Sequence, residues 1–436
     1  MTLQRTREYL RSSLWFVPAL FAIGAVILAL GALTLDDRVS ADPGGLFFLY
    51  GGTAEGARSV LSTIAQSMLT FTGLVFTITM LVLQLASSQL SPRVMRTFLR
   101  DRSNQVVLGL FVATFVYTLV VLRDVRAPVD GNEGFVPGLS VWISFALLLA
   151  SVGAFIYYID HMAHAIRAST VISNIATETE AAIERLYPEH IAQGERGPNA
   201  GEPGPANLVL RARRAGVVVG VDEEKLLAVV GDDDRRLHLV PAVGDFVASG
   251  SPFIRLWGQW DRDAAEAIQD AIGLENERTL QQDAAFGFRQ LVDVAVRALS
   301  PGTNDPTTAV QALDRIHDLL RRVAERAIPS PYRADDHGRV RLVLSRPDWD
   351  DYVELAVDEI RLAGERQIQV TRRLRHLLTD LLTMAPDDRQ PVLRRELALV
   401  DSGAERGFRG SSDAAAARSA SARGHAVDAP SGEEHR

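Results

Sequence analysis

Four apolar runs dominate the first part of the chain, at residues 12–35, 59–92, 103–122 and 134–159. None contains Asp, Glu, Lys or Arg. A helix crosses a bilayer's hydrocarbon core in about 20 apolar residues, and each run meets that length. Backbone polar groups in lipid must be satisfied within the segment, so all four runs are predicted to be helical spans. After about residue 160 the pattern changes. Residues 161–187 continue as a polar helix, and residues 193–206 are too rich in Gly and Pro for a regular element. Short β-rich runs follow at 216–221, 226–230, 236–240 and 246–256, separated by turn residues. Helical spacing of apolar residues then recurs at 261–276, 283–299, 306–327, 350–363, 365–384 and 389–401, with one short strand at 340–344.

The predicted fold is therefore a membrane α-helical bundle of about four spans plus a cytosolic α+β domain. That domain combines a small β-barrel-like unit with a helical C-terminal part. The predicted divisions are a transmembrane domain at 1–160, a connecting helix and linker at 161–206, the β unit at 207–260 and the helical domain at 261–402. The tail at 403–436, which has almost no large apolar residues, is expected to be disordered. The first span is longer than the apolar core of a signal peptide and no clear small-residue cleavage site follows it, so it is expected to remain.

Arginines orient the bundle. Arg5, Arg7 and Arg11 precede the first span, and Arg93, Arg96, Arg100 and Arg102 lie between the second and third. On the other side Arg38, Arg58, Arg123 and Arg126 are diluted by Asp36, Asp37, Asp42, Glu55, Asp124, Asp130 and Glu133. The excess of basic residues on cytoplasmic loops places both termini in the cytoplasm, with the spans expected in the inner (plasma) membrane. Trp15, Trp142, Tyr157 and Tyr158 fall near span ends, where interfacial aromatics are expected.

The second run is long for one perpendicular crossing, and it is the most polar. Thr63, Thr70, Thr77 and Gln84 recur every seven residues, with Gln66, Ser67 and Gly73 close to the same stripe. Helical geometry gathers these hydroxyls and amides on one face. Such a face either lines a water-filled path or serves helix packing through small and polar residues. The candidate pore-lining residues are Thr63, Gln66, Thr70, Thr77 and Gln84.

Composition narrows the chemistry. The chain has no cysteine, which excludes disulfides, thiolate nucleophiles and iron–sulfur ligation within it. Lys225 is its single lysine, and a net charge of −8 gives no support for nucleic-acid binding. Coupled transporters usually keep an ionisable group at membrane depth, and the predicted spans carry none. Asp160, His161 and His164 follow the fourth span; the His pair is read as interfacial, and no metal or cofactor is expected. No Gly-rich phosphate loop, nucleophile elbow or His–Glu metal motif occurs, so an enzyme is the least favoured class.

The segment from Val243 to Phe253, Val-Gly-Asp-Phe-Val-Ala-Ser-Gly-Ser-Pro-Phe, resembles the turn and hairpin of biotinyl- and lipoyl-type barrel-sandwich domains. Carriers of that type need a lysine at the hairpin tip. This segment has none, which favours a structural unit.

Residues 278–309 concentrate the remaining candidates. Arg289, Asp293 and Arg297 stand four apart on one helix face and can form a ladder of ion pairs. The loop Ser300-Pro-Gly-Thr-Asn-Asp-Pro then leads into a helix capped by Asn304 or Asp305. The free N–H groups at that helix start could instead hold an anion. This segment, the loop Ser87-Ser-Gln-Leu-Ser-Pro-Arg, the run Phe98-Leu-Arg-Asp-Arg and Phe115-Val-Tyr resemble a bacterial family of predicted membrane proteins, domain of unknown function 2254. The resemblance runs over roughly residues 10–400. It implies a multi-span bacterial membrane protein with a cytosolic C-terminal part, and it carries over no catalytic residues.

Two functions fit these features. The first is a homo-oligomeric channel or pore-like protein gated by its cytosolic domain, with the second span lining the path. The second is a membrane-anchored sensor or scaffold that binds a ligand or protein partner through that domain.

Overall fold

The computed structural model describes residues 15–40, 53–89, 102–127, 135–165, 167–188, 204–231, 234–335, 337–408 and 410–418. The chain divides into two compact units, Met1–Thr170 and Val171–Arg436.

The first unit holds four long apolar helices: α1 (Phe16–Ser40), α2 (Ala54–Gln89), α3 (Arg102–Asp124) and α4 (Gly138–Ala165). Helix α3 packs against each of the other three. Half of its most apolar stretch is buried, against 28, 17 and 22% in α1, α2 and α4, so it is the centre of the bundle. Small side chains allow the close approach: Ala25, Ala29 and Ala32 of α1 are buried, and Phe21 presses against the backbone at Gly109 of α3. With 36 residues at 1.5 Å each, α2 is about 54 Å long and exceeds the bilayer core. Arg93, Arg96 and Arg100 lie outside the described residues. Trp15, Trp142 and Tyr157 are exposed, as interfacial aromatics would be. Tyr158 differs: it is buried, because its hydroxyl donates to the Val75 carbonyl at 3.1 Å.

Helix α5 (Ala168–Leu186) follows α4, and most of it, from Val171 on, belongs to the second unit. The β residues of that unit build two open sheets. One orders β1 (Leu208–Arg211), β5 (Pro252–Trp257), β3 (Arg236–Leu239), β8 (Val340–Leu344) and β7 (Tyr332–Ala334); the other orders β4 (Phe246–Val247), β2 (Gly216–Val221) and β6 (Ile272–Glu275). The expected barrel-like unit is thus corrected: neither sheet closes, because β1 and β7 are free edges and the larger sheet recruits β7 and β8 from outside the predicted β region. Strand β3 pairs in parallel with β8, which no local hairpin could arrange. Residues 226–230, expected as a strand, lie instead in helix α6 (Glu223–Val230). Asp222 caps that helix by accepting from the Lys225 N–H at 3.1 Å, and Glu223 and Glu224 suit its first turn.

One apolar core joins the two sheets, with Leu237, Leu239, Ile254, Leu256 and Leu342 all at 0–1% exposure. Helix α7 (Arg262–Asp270) covers part of it, and the apolar residues after it form β6 rather than a longer helix. The rest of the unit is helical: α8 (Ala284–Ala298), α9 (Pro306–Glu325), α10 (Trp349–Ala363), α11 (Ile368–Met384), α12 (Gln390–Gly407) and α13 (Ser411–Arg418). Regular structure thus runs past residue 403, and residues 419–436 lie outside the described residues. Most of the Gly- and Pro-rich linker at 193–206 lies outside them as well.

Arg389 links these helices from a buried position. Its guanidinium donates to the carbonyls of Val323 (2.8 Å), Ala324 (3.0 Å) and Arg326 (2.9 Å), satisfying the end of α9. It also lies over the Trp349 ring, whose Nε1–H donates to the Arg389 carbonyl at 2.9 Å.

Candidate functional site

Helix α2 buries one face and exposes another, on which hydroxyls and amides stand among Leu69, Leu74, Phe76, Met80 and Leu81. Leu61, Met68, Val75 and Val82 recur every seven residues and are buried against the bundle. Thr63, Thr70, Thr77 and Gln84 recur with the same period two residues further on, about 200° around the helix. All four are exposed, as are Gln66 and Gly73. The polar stripe therefore plays no part in packing among the described residues of the chain. Nothing lies within 4 Å of the position a Cβ would take at Gly73.

The hydroxyls on this face are satisfied along the helix itself. Thr63 donates to the Ser59 carbonyl (2.8 Å), Ser67 to Thr63 (2.8 Å), Thr70 to Gln66 (3.1 Å) and Thr77 to Gly73 (2.9 Å). Such back-bonding uses up the donor and leaves hydroxyl oxygens facing outward. The Gln66 amide has no equivalent local partner. Its transfer to an apolar medium unpaired costs about 2–7 kcal/mol, enough to favour water or a polar neighbour over lipid.

A second polar group of α2 turns inward. The Thr79 hydroxyl lies 2.8 Å from the Tyr158 hydroxyl of α4 and donates to the Asn104 Oδ1 of α3 at 3.4 Å. This cluster ties three helices together and was not distinguishable from the outer stripe by residue type alone.

The segment at 278–309 is built into the second unit by its own charges. Arg278 pairs bidentately with buried Asp283, at 2.8 and 3.0 Å, and Asp283 caps α8 by accepting from the Phe286 N–H. Burial pushes the Asp283 carboxyl up, and Arg278 opposes that rise. Arg289 reaches Asp293 at 2.8 Å along the same helix and Glu359 Oε2 of α10 at 2.7 Å, so the predicted ladder extends sideways to a second helix. Glu359 foremost, then Asp293, stabilises its charged form. Arg297 occupies the last turn of α8.

Asp305 caps α9. Its carboxylate accepts from the N–H groups of Thr307 and Thr308, each at 3.1 Å, and from the Thr308 hydroxyl at 2.6 Å. The Thr308 hydroxyl foremost, with these N–H groups, holds the Asp305 carboxyl below its ordinary range. The donors offered to an anion at this helix start are thus taken by the chain's own carboxylate. Asn304 adopts a left-handed backbone at φ 46°, and its Oδ1 accepts from Gln367 Nε2 at 3.1 Å. The five candidate residues Arg289, Asp293, Arg297, Asn304 and Asp305 are therefore spread over a helix face and a loop.

Past the fourth span, the His161 ring stacks on Tyr157, and His164 Nδ1 lies 2.8 Å from the Asp160 carbonyl oxygen. Among the described residues no group of three His, Asp or Glu side chains is arranged to hold a metal.

The chain is 34% identical over 426 residues to an uncharacterized protein of Mycobacterium tuberculosis, covering 95% of this chain and 81% of the relative. The same figures hold for an uncharacterized protein of Mycobacterium bovis. No solved structure matches it. The family described as predicted membrane protein, DUF2254, matches residues 11–380. Four apolar helices long enough to cross a bilayer agree with that description, and the chain belongs to the DUF2254 family of predicted membrane proteins.

Proposed function

We propose that this protein assembles with copies of itself into a pore, with the exposed polar face of α2 from each copy lining a water-filled path. The observation that carries the reading is the placement of Thr63, Gln66, Thr70, Thr77 and Gln84 on the face of α2 turned away from its own bundle. A membrane helix normally turns polar groups inward, and α2 exposes this stripe of hydroxyls and amides beside Leu69, Leu74, Phe76, Met80 and Leu81. Several copies of one helix can enclose a path that no single copy could, so one stripe per chain suffices. In this reading both termini and the soluble unit are cytoplasmic, supported by the arginines at 93–102, and the spans lie in the bacterial inner membrane. Residues 278–309 then serve as a rigid part of the soluble unit that gates the path.

The test is current through a planar bilayer containing the purified full-length protein. Discrete conductance steps are expected, and Thr70→Leu combined with Thr77→Leu should reduce their amplitude. A folded, inserted protein that carries no current, or steps untouched by the double substitution, overturns the reading.

A further inference from the structure

The open face of the five-stranded sheet carries a row of side chains that crosses every strand. Val209, Arg255, His238, Val343 and Tyr332 are successive cross-strand partners from β1 through β5, β3 and β8 to β7. In the next row Arg236 stands opposite Trp257. Strand alternation explains the arrangement: Leu237, Leu239, Ile254, Leu256 and Leu342 point into the core, so their neighbours must point out. The outward residues line a cleft of about 790 Å³, roofed on one side by residues 204–206.

Three features of this cleft are unusual for a bare sheet face. First, it gathers Arg236, Arg255 and His238 without an acidic residue among its lining. Arg255 sits directly across from His238, a placement of like charges that a sheet normally avoids once the imidazole is protonated. Second, the Arg236 Nε–H is buried with no hydrogen-bond partner among the described residues, although its guanidinium leans over the Trp257 ring at 5.9 Å. A buried donor without an acceptor is destabilising, the more so when the group is charged. Third, the walls are aromatic and fixed. Trp257 Nε1–H donates to the Gly204 carbonyl at 2.8 Å, which pins both the ring and the roof. Tyr332 closes the far end, and Val343 supplies an apolar floor.

The geometry points to a binding site for a small organic anion of the nucleoside-phosphate class, its phosphate against Arg236 and Arg255 and its ring against the aromatic wall at Trp257. Guanidinium groups suit phosphate because they offer paired, charge-assisted donors. The volume lies within the 300–1,000 Å³ usual for small-molecule sites and far exceeds what inorganic phosphate needs. Aromatic and apolar walls would be wasted on a simple ion. This site is separate from the helical segment at 278–309, and it stands whether or not the first unit conducts ions.

The experiment is calorimetric titration of the full-length protein in detergent with ADP, GDP and UDP, and with inorganic phosphate as the reference. Saturable binding of at least one nucleotide, at least tenfold tighter than phosphate, is expected. Arg255→Gln should weaken it about tenfold, the loss of one charge-assisted contact, without changing the thermal unfolding midpoint, because Arg255 is exposed. Arg236→Gln should weaken it at least as much, and Trp257→Phe should weaken nucleotide binding more than phosphate binding. No nucleotide binding by folded wild-type protein overturns the inference. So does binding that Arg255→Gln leaves unchanged, or phosphate binding as tight as that of every nucleotide.

Discussion

Asp36, in the last turn of α1, caps the start of α4 more than a hundred residues away. Its carboxylate accepts from the N–H groups of Leu139 (2.8 Å) and Ser140 (2.9 Å) and from the Ser140 hydroxyl (2.6 Å). The orphan donors of one helix are thus satisfied by a side chain from another. At the same end, Arg58 of α2 donates to the Val125 carbonyl beyond α3 at 2.7 Å. Asp36→Ala should destabilise the bundle by about 1–3 kcal/mol, since buried donors lose their acceptor in a site that excludes water. Unfolding of the full chain in detergent would read this, and an unchanged midpoint would remove the cap from the account.

Self-assembly through α2 can be tested without background, because the chain contains no cysteine. Thr70→Cys places a thiol on the exposed face, and Val75→Cys places one on the buried face. Oxidation in membranes should give a covalent dimer from Thr70→Cys and none from Val75→Cys. Equal yields, or no dimer from either, would count against copies meeting along this stripe.

The turn at Gly244 abuts the Arg278–Asp283 pair. A Cβ built at Gly244 would lie 2.6 Å from Asp283 Oδ2 and 2.7 Å from Arg278 Nη2, and the backbone there has φ +103°. Gly244→Ala therefore meets both a steric and a conformational penalty. It should cost about 2–4 kcal/mol, read from denaturant unfolding followed by tryptophan fluorescence. A variant as stable as wild type would show that the ion pair can move aside.

His317 should make the second unit sensitive to mild acid. Burial, then the nearby positive charge of Arg373, depresses its pKa below the ordinary value near 6.5; Asp380 pulls the other way. Arg373 Nη2–H donates to Nδ1 at 2.9 Å, and Nε2 faces Asp380 Oδ2 at 2.8 Å, which together hold the neutral Nε2–H form. His376 packs edge-on at 5.9 Å, while Asp314 pairs with Arg373 and Arg321 pairs with Asp380. The unfolded chain takes up a proton at His317 before the folded one does, so stability is lost as pH falls through about 6.5. For Asp380, burial works upward, but Arg321 and His317 hold its carboxyl below the ordinary range, so its contribution is lost only at much lower pH. Denaturant midpoints at pH 7.5 and 5.5 should differ in wild type and converge in His317→Gln. A wild-type midpoint that does not move over this interval would contradict the assignment.

Much of the fold was readable along the chain, and the misses share a cause. The apolar runs predicted four spanning helices, and the strand at Val340–Leu344 and the helix from Pro306 appear where periodicity placed them. Residues 226–230 read as a strand because Leu, Ala and Val runs fit either element, and the deciding signal was the Asp222 cap. Strand β6 was hidden at the end of an apparently helical run, since its apolar residues are needed by a sheet edge that lies over fifty residues earlier. The barrel-like unit followed from the resemblance of Val243–Phe253 to barrel-sandwich hairpins, whereas β3 takes as its partner β8, a hundred residues later, and the sheet stays open.

The candidate sites divide in the same way. The heptad spacing of Thr63, Thr70 and Thr77 was visible in sequence, because helical period alone puts them on one face. Which way that face turns was not, because it depends on Leu61, Met68 and Val75 burying against α3 and α4. Arg236, His238, Arg255 and Tyr332 carried no motif at all: three strands from two distant regions bring them to one surface. What the sequence determined by itself is what local physics governs, namely membrane insertion, helical period and the caps. What only the tertiary structure decided is which faces meet, because strand pairing and helix packing join residues far apart in the chain and their register cannot be read from either partner alone.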